Sequence, residues 1–239
     1  AVVKAGVFSV VKIILYIFSP ELLSDTVDFN LLLYLAGTTI LIASIIALRS
    51  DNLKQRLAYS TISQLSYVIL ATALLVPISI AGAVLHILAH AFGKITLFFA
   101  AGSIYTATKK TEVSQLNGIG RSMPWTMLAF TIGSLSMIGV PPTVGFLSKW
   151  FMLQGALNIQ SWFAVSIIII STLLNAAYFL PIVYSAFFRD AKIKSDQYYC
   201  EAPFPIVFTV FGTACVTVIL FFFPEIPLQI IGLLIGADV

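Results

Sequence analysis

Apolar residues fall along this chain in seven blocks, at 1–18, 31–48, 57–76, 78–107, 125–157, 162–188 and 204–223. A helix rises 1.5 Å per residue, so about 20 apolar residues cross the hydrocarbon core of a bilayer. Six of the connections are short and polar, and a shorter apolar stretch at 226–235 is expected to lie at the interface. No run alternates with period two as a barrel strand would. Lipid leaves only helices or closed barrels able to satisfy the backbone. The pattern therefore predicts an all-α, polytopic transmembrane helical bundle of about seven passes.

The connections predict direction. Arg49, Lys54 and Arg56, then Lys109, Lys110 and Arg121, then Arg189, Lys192 and Lys194 occupy alternate connections. The intervening ones, at 19–30, Pro77, 158–161 and after 223, hold no Lys or Arg, while Glu21, Asp25 and Asp28 lie there. The positive-inside rule places the basic connections in the cytoplasm, as for a multi-pass protein of the cell inner (plasma) membrane. Composition agrees: 59% of the 239 residues are hydrophobic, 10% are charged, and the mean hydropathy is +1.02. Soluble domains run near 45–50% apolar and about 25% charged, which excludes water-soluble, disordered and nucleic-acid-binding classes. Cys200 and Cys215 are too few for a disulfide framework or an iron–sulfur site.

Four basic residues remain inside apolar blocks: Lys4, Lys12, Lys94 and Lys149. All ten carboxylates lie in connections or the tail, so none pairs with these lysines within a span. A charge at the bilayer centre costs at least ~2.5–3.5 kcal/mol, and such residues usually mark an ion path. Desolvation favours the neutral amine, which makes a buried lysine a candidate proton relay. Lys12 sits where it can snorkel, Lys4 can equally anchor a helix end, and Lys94 is too deep to snorkel. His86, His90 and Lys94 stand at i, i+4 and i+8, one stripe about 12 Å long. The stripe reads as a proton path, with a metal pair or packing histidines as alternatives.

The 125–157 block is longer than one pass needs, and Gly139, Pro141, Pro142 and Gly145 interrupt it. Such a break is tolerated only where protein or a water-filled cavity surrounds it, and in transporters it marks the ion path. Lys149 follows the break; the alternative is a simple kink, with Lys149 reaching the outer interface. Ser60, Ser63, Gln64 and Tyr67 form a polar stripe that reads as helix glue, or as a lining that contacts ions or orients water. Pro181 predicts a kink whose freed backbone groups Asn175 is placed to cap. Gly118 and Gly120 predict the bend of a cytoplasmic connection. The first residue is Ala1 and an apolar helix follows at once, so the sequence is expected to begin inside a longer polypeptide.

Three runs together, LAYSTISQ at 57–64, HILAHAFGK at 86–94 and GVPPTVGFLSK at 139–149, resemble the proton-conducting membrane subunits shared by respiratory complex I and Mrp-type cation/proton antiporters. The later NAAYFLPIVY at 175–184, followed by Glu201-Ala202-Pro203, resembles the D-type branch of the antiporters more than the complex I branch. The resemblance implies two inverted five-helix repeats joined by a lysine–histidine axis. Residues 1–18 would be the last helix of the first repeat and carry its central lysine, Lys4. Residues 31–188 would be the second repeat, with its broken helix at 125–157 and its terminal lysine Lys149, and residues 204–239 a C-terminal helix and tail. The glutamate and paired lysine of the family's first repeat have no counterpart here, which implies half a channel, as a fragment or a split subunit.

The function implied is proton relay from Lys4 through Lys94, His90 and His86 to Lys149. In an antiporter it is exchanged for sodium or another monovalent cation; in a complex I, quinone reduction elsewhere drives it. No cofactor or metal site is expected, and the partners implied are other membrane subunits, protons and the bilayer. A quinone-binding catalytic subunit and a scaffold whose lysines contact lipid phosphates are the rival readings.

Overall fold

A computed structural model describes residues 2–18, 27–190 and 200–235. Ala1, Glu21, Asp25, Lys192, Lys194 and the tail after 235 lie outside the described residues. Helices make up nearly all of it: α1 (Val2–Lys12, continued as π-helix over Ile13–Phe18), α2 (Val27–Arg49), α3 (Leu53–Ala73), α4 (Pro77–Thr108), α5 (Pro124–Ile138), α6 (Val144–Asn158), α7 (Trp162–Phe188), α8 (Phe204–Phe222) and α9 (Glu225–Ile235). The β pairing among the described residues is one bridge, Asn52 to Glu112.

Asn52 caps α3 by accepting from the Gln55 N–H, and Pro77 starts α4, where a missing N–H costs nothing. Four stretches are long and apolar enough to cross a membrane unaided: Asn30–Arg49, Pro77–Thr108, Trp162–Phe188 and Phe204–Phe222. The helix α3 falls short of that apolarity because it carries the Ser60–Gln64 stripe, which is buried inside the bundle. Helices α5 and α6 have 15 residues each, about three-quarters of a crossing, so the 125–157 block is two shorter helices rather than one long one.

Small residues bring α4 against both halves. A Cβ on Gly82 would lie 2.9 Å from the Ser148 carbonyl, and one on Gly155 3.0 Å from the Ser79 Cα. Toward the other end of α4, a Cβ on Gly133 of α5 would lie 3.3 Å from the Gly93 carbonyl. The N-terminal half of α4 therefore packs on α6 and its C-terminal half on α5. His86, His90 and Lys94 straddle the break. Two apolar clusters flank this level, one around Leu57, Leu97, Phe130 and Phe179, the other around Ile40, Val68, Ala83 and Met152. The outward faces carry Trp162, Leu173, Phe188, Phe204 and Phe208, which water would not tolerate in this density and lipid does. The chain is a membrane-embedded helical bundle.

The 226–235 stretch is a helix packed on α4, with Ile231 buried beside Leu85 and Ala89. Two expectations are corrected. Asp28 lies in the first turn of α2, not in the connection before it. Gly118 does supply the bend, in the left-handed region at φ 72°. Gly120 instead sits in a helical turn, where a Cβ would lie 2.9 Å from the Ala186 carbonyl, so its role is close packing on α7.

Candidate proton-relay site

The break has a specific chemical consequence. In an unbroken helix the N–H of residue 141 would bond the carbonyl of 137, and that of 142 the carbonyl of 138. Both donors are proline and have none. The Met137 and Ile138 carbonyls are thus left free at the C-terminal end of α5, where the helix dipole concentrates negative charge. Lys149, 6% exposed, reaches back from α6 and donates to both, at 2.9 and 3.0 Å. Gly139 ends α5 at φ 87° and lies against the Lys149 stem; a Cβ there would be 2.8 Å from its Cδ. A Cβ on Gly145 would run into the Ser136 backbone carbonyl, so glycine is what lets the two half-helices meet. Lys149 does not reach an interface. Its Nζ also sits 4.8 Å from the Tyr67 ring centre, a cation–π distance.

One turn of α6 earlier than Met152, Ser148 contacts His86. The Nδ1 of His86 lies 2.8 Å from the Ser148 hydroxyl and its Nε2 3.1 Å from the Gln64 Oε1. Gln64 is oriented by its own Nε2, which donates to the Met137 carbonyl at 3.3 Å. Because that leaves Oε1 facing the ring, the His86 Nε2 must carry a proton. Ser148 has two choices, donating to His86 Nδ1 or to the Gly145 carbonyl at 2.9 Å. The first suits a neutral imidazole and the second an imidazolium. A single hydroxyl rotation thus accommodates a gain or loss of one proton.

Lys94, 4% exposed, donates to the Leu57 carbonyl at 3.1 Å and to the Ser60 hydroxyl. Between Lys94 and His86 lies His90, 1% exposed, whose ring nitrogens have no hydrogen-bond partner among the described residues. Its ring centre is 6.4 Å from that of His86, and Lys94, His86 and Lys4 are its titratable neighbours. Lys4 is half-buried on α1, which packs on α3, and among the described residues no hydrogen bond ties it to the network. Lys12 is exposed.

Residues 1–175 match the family described as NADH:quinone oxidoreductase/Mrp antiporter, TM. The chain belongs to this family. Over 172 residues, 72% of its length, it is 38% identical to NADH-quinone oxidoreductase subunit N of Desulforudis audaxviator (strain MP104C), covering 34% of that protein. It is 27% identical over 194 residues to the D subunit of the Na(+)/H(+) antiporter of Alkalihalophilus pseudofirmus, with 81% of this chain and 39% of the relative covered. Its fold superposes on a chain of the Mrp complex from Dietzia sp. DQ12-45-1b with a TM-score of 0.85 at 20% identity, covering 96% of this chain and 50% of that one. The chain thus spans between a third and a half of the length of these three relatives. Both branches named by the resemblance are represented.

Within this chain the expected polar stripe of α3 is divided between two jobs. Ser63 bonds Ser44 of α2 at 2.8 Å and Tyr67 bonds Ser171 of α7, both as glue. Ser60 and Gln64 hold Lys94 and His86. Asn175 does not cap the Pro181 kink: its Oδ1 accepts from the Tyr178 hydroxyl at 2.5 Å. Arg56, expected in a cytoplasmic connection, is 8% exposed and donates to the carbonyls of Ser50 at 2.8 Å and Tyr178 at 3.0 Å. The sequence pattern assigned Tyr178 no role of its own and Arg56 that of a loop cation. The i, i+3 spacing of Asn175 and Tyr178 was the available signal.

Proposed function

We propose that this chain is the proton-translocating part of a membrane subunit in a multisubunit monovalent cation/proton antiporter. The observation that carries the proposal is Lys149 Nζ on the two carbonyls that Pro141 and Pro142 leave without donors. Helix-end carbonyls stabilise the ammonium without neutralising it as a carboxylate would, so the lysine can both hold and release a proton. Lys94 on Ser60 and Leu57 repeats the arrangement with neutral acceptors. Protons pass from Lys4 to Lys94, then through His90 and His86 to Lys149, with Ser148 turning as His86 changes charge. Helices α2 to α7 act as one repeat, with α1 and α8 flanking it, and the bundle crosses the membrane about seven times. The basic connections face the cytoplasm at the plasma membrane, and other membrane subunits cover part of the outward apolar surface.

A second reading is favoured by the 38% identity to a quinone oxidoreductase subunit: the same relay serving a complex I-like pump. Vesicles carrying the whole assembly separate the two. Cation-driven proton movement without an electron donor supports the antiporter, and proton movement that requires quinone reduction supports the pump. In either assembly Lys149→Ala should abolish coupled proton movement while the complex still assembles. Undiminished movement would overturn the relay.

A further inference from the structure

The starts of α5 and α8 enclose a cavity of about 460 Å³ that touches none of the relay side chains. Its walls are the rings of Trp125, Phe204, Phe208 and Phe211, with Val207 among them, and its charged group is the Glu201 carboxylate. Trp125 meets Phe211 edge to face with ring centres 5.8 Å apart, and the Phe204 and Phe208 rings lie 5.9 Å apart. The segment before α8 is fixed across the start of α5, where the Cys200 N–H donates to the Ser122 carbonyl at 3.0 Å. Residues 204, 207, 208 and 211 stand at i, i+3, i+4 and i+7, one apolar stripe about 10 Å long that begins three residues past Glu201. Beside the Glu201 end, four residues before Trp125, Arg121 pairs with Asp190 at 3.1 Å, and both side chains are exposed. An ion pair so open belongs at the level of water and headgroups, so the stripe runs from that level into hydrocarbon.

We propose that this cavity binds a phospholipid with a primary ammonium headgroup, a phosphatidylethanolamine. The Glu201 Oε1 accepts from the Trp125 and Thr126 N–H groups and Oε2 from the Thr126 hydroxyl. A carboxylate has about four acceptor positions, so one remains on Oε2. Among the described residues no cation pairs with Glu201. An ammonium N–H supplies both the missing donor and the missing charge, and the aromatic walls attract it through their ring faces. A choline headgroup has no N–H to give, and the carboxylate repels an anionic one. One acyl chain then lies along the stripe from Phe204 to Phe211, as an amphiphile whose polar end is held at Glu201 requires. The site is independent of the relay, and it needs only that the chain is embedded in a bilayer.

The test uses the intact assembly in phosphatidylcholine vesicles that carry a trace of phosphatidylethanolamine with a photoreactive diazirine in its acyl chain. Illumination should attach the lipid to residues 204–211, as mapped by peptide mass. Excess unlabelled phosphatidylethanolamine should cut that adduct about tenfold, and the same excess of phosphatidylglycerol should leave it in place. Glu201→Gln keeps an oxygen for the two N–H groups and removes the charge, and its adduct should fall about tenfold, as for a lost hydrogen bond between charged groups. Should that variant fail to assemble, Phe208→Ala opens one wall without touching the start of α5 and should lower the adduct in the same direction. Labelling spread evenly over the outward helices would mean bulk lipid only and would overturn the site. Competition by phosphatidylglycerol equal to that by phosphatidylethanolamine, or wild-type labelling in Glu201→Gln, would overturn the ammonium assignment. The absence of any adduct at 204–211, as when a helix of another subunit fills the cavity, would overturn it too.

Discussion

Lys149 Nζ donates to the Met137 carbonyl at 2.9 Å, and that carbonyl is free because residue 141, its partner in a continuous helix, is proline. The lysine and the break are therefore one device.

Restoring the missing donors should take the site apart. In the Pro141→Ala/Pro142→Ala variant two N–H groups compete with Lys149 for Met137 and Ile138. Proton movement in vesicles is expected to fall by about tenfold or more, since hydrogen bonds to charged groups are worth ~1.5–3 kcal/mol each. Amide exchange across 139–146 should slow as the helix closes.

Gly145→Ala places a Cβ against the Ser136 backbone carbonyl, and neither half-helix can yield without parting from the other. The solubilised protein should lose stability by about 1–3 kcal/mol. Gly102→Ala, where a Cβ meets nothing within 4 Å, is the control and should keep or raise stability, by up to about 1 kcal/mol, in the same thermal melt.

Ser148→Ala removes the group that adapts to His86, leaving the ring's Gln64 contact in place. Assembly should be normal and transport about tenfold slower. Initial rates in vesicles, set against the amount of assembled protein, provide the measure.

Much of the architecture was legible because hydrophobic length and charge placement are one-dimensional. Pro141-Pro142 between glycines announced the break, and its place opposite the i, i+4, i+8 stripe followed from the fold. What the sequence hid lies between helices. Ser63 and Gln64 are neighbours in sequence, yet one bonds Ser44 on α2 and the other His86 on α4, because successive helical residues point about 100° apart and α3 is surrounded. Arg56 looked like a loop cation. Its buried reach to Tyr178, 122 residues away, depends on a contact that no local spacing encodes.

Glu201 fastens the N-terminal end of the broken helix, accepting from the Trp125 and Thr126 N–H groups at 2.8 and 3.2 Å and the Thr126 hydroxyl at 2.6 Å. Glu201→Ala leaves those donors at the start of α5 without their acceptor. A loss of about 0.5–2 kcal/mol in a thermal melt is expected, the usual cost of a lost cap, with initial transport rates largely kept.

The most direct test of proton release is Lys149→Arg. Guanidinium keeps the positive charge and the donors for Met137 and Ile138 but does not give up its proton. In vesicles carrying the assembled complex, transport by Lys149→Arg should be as low as by Lys149→Ala. Full transport by Lys149→Arg would show that a fixed charge suffices, and would contradict the relay.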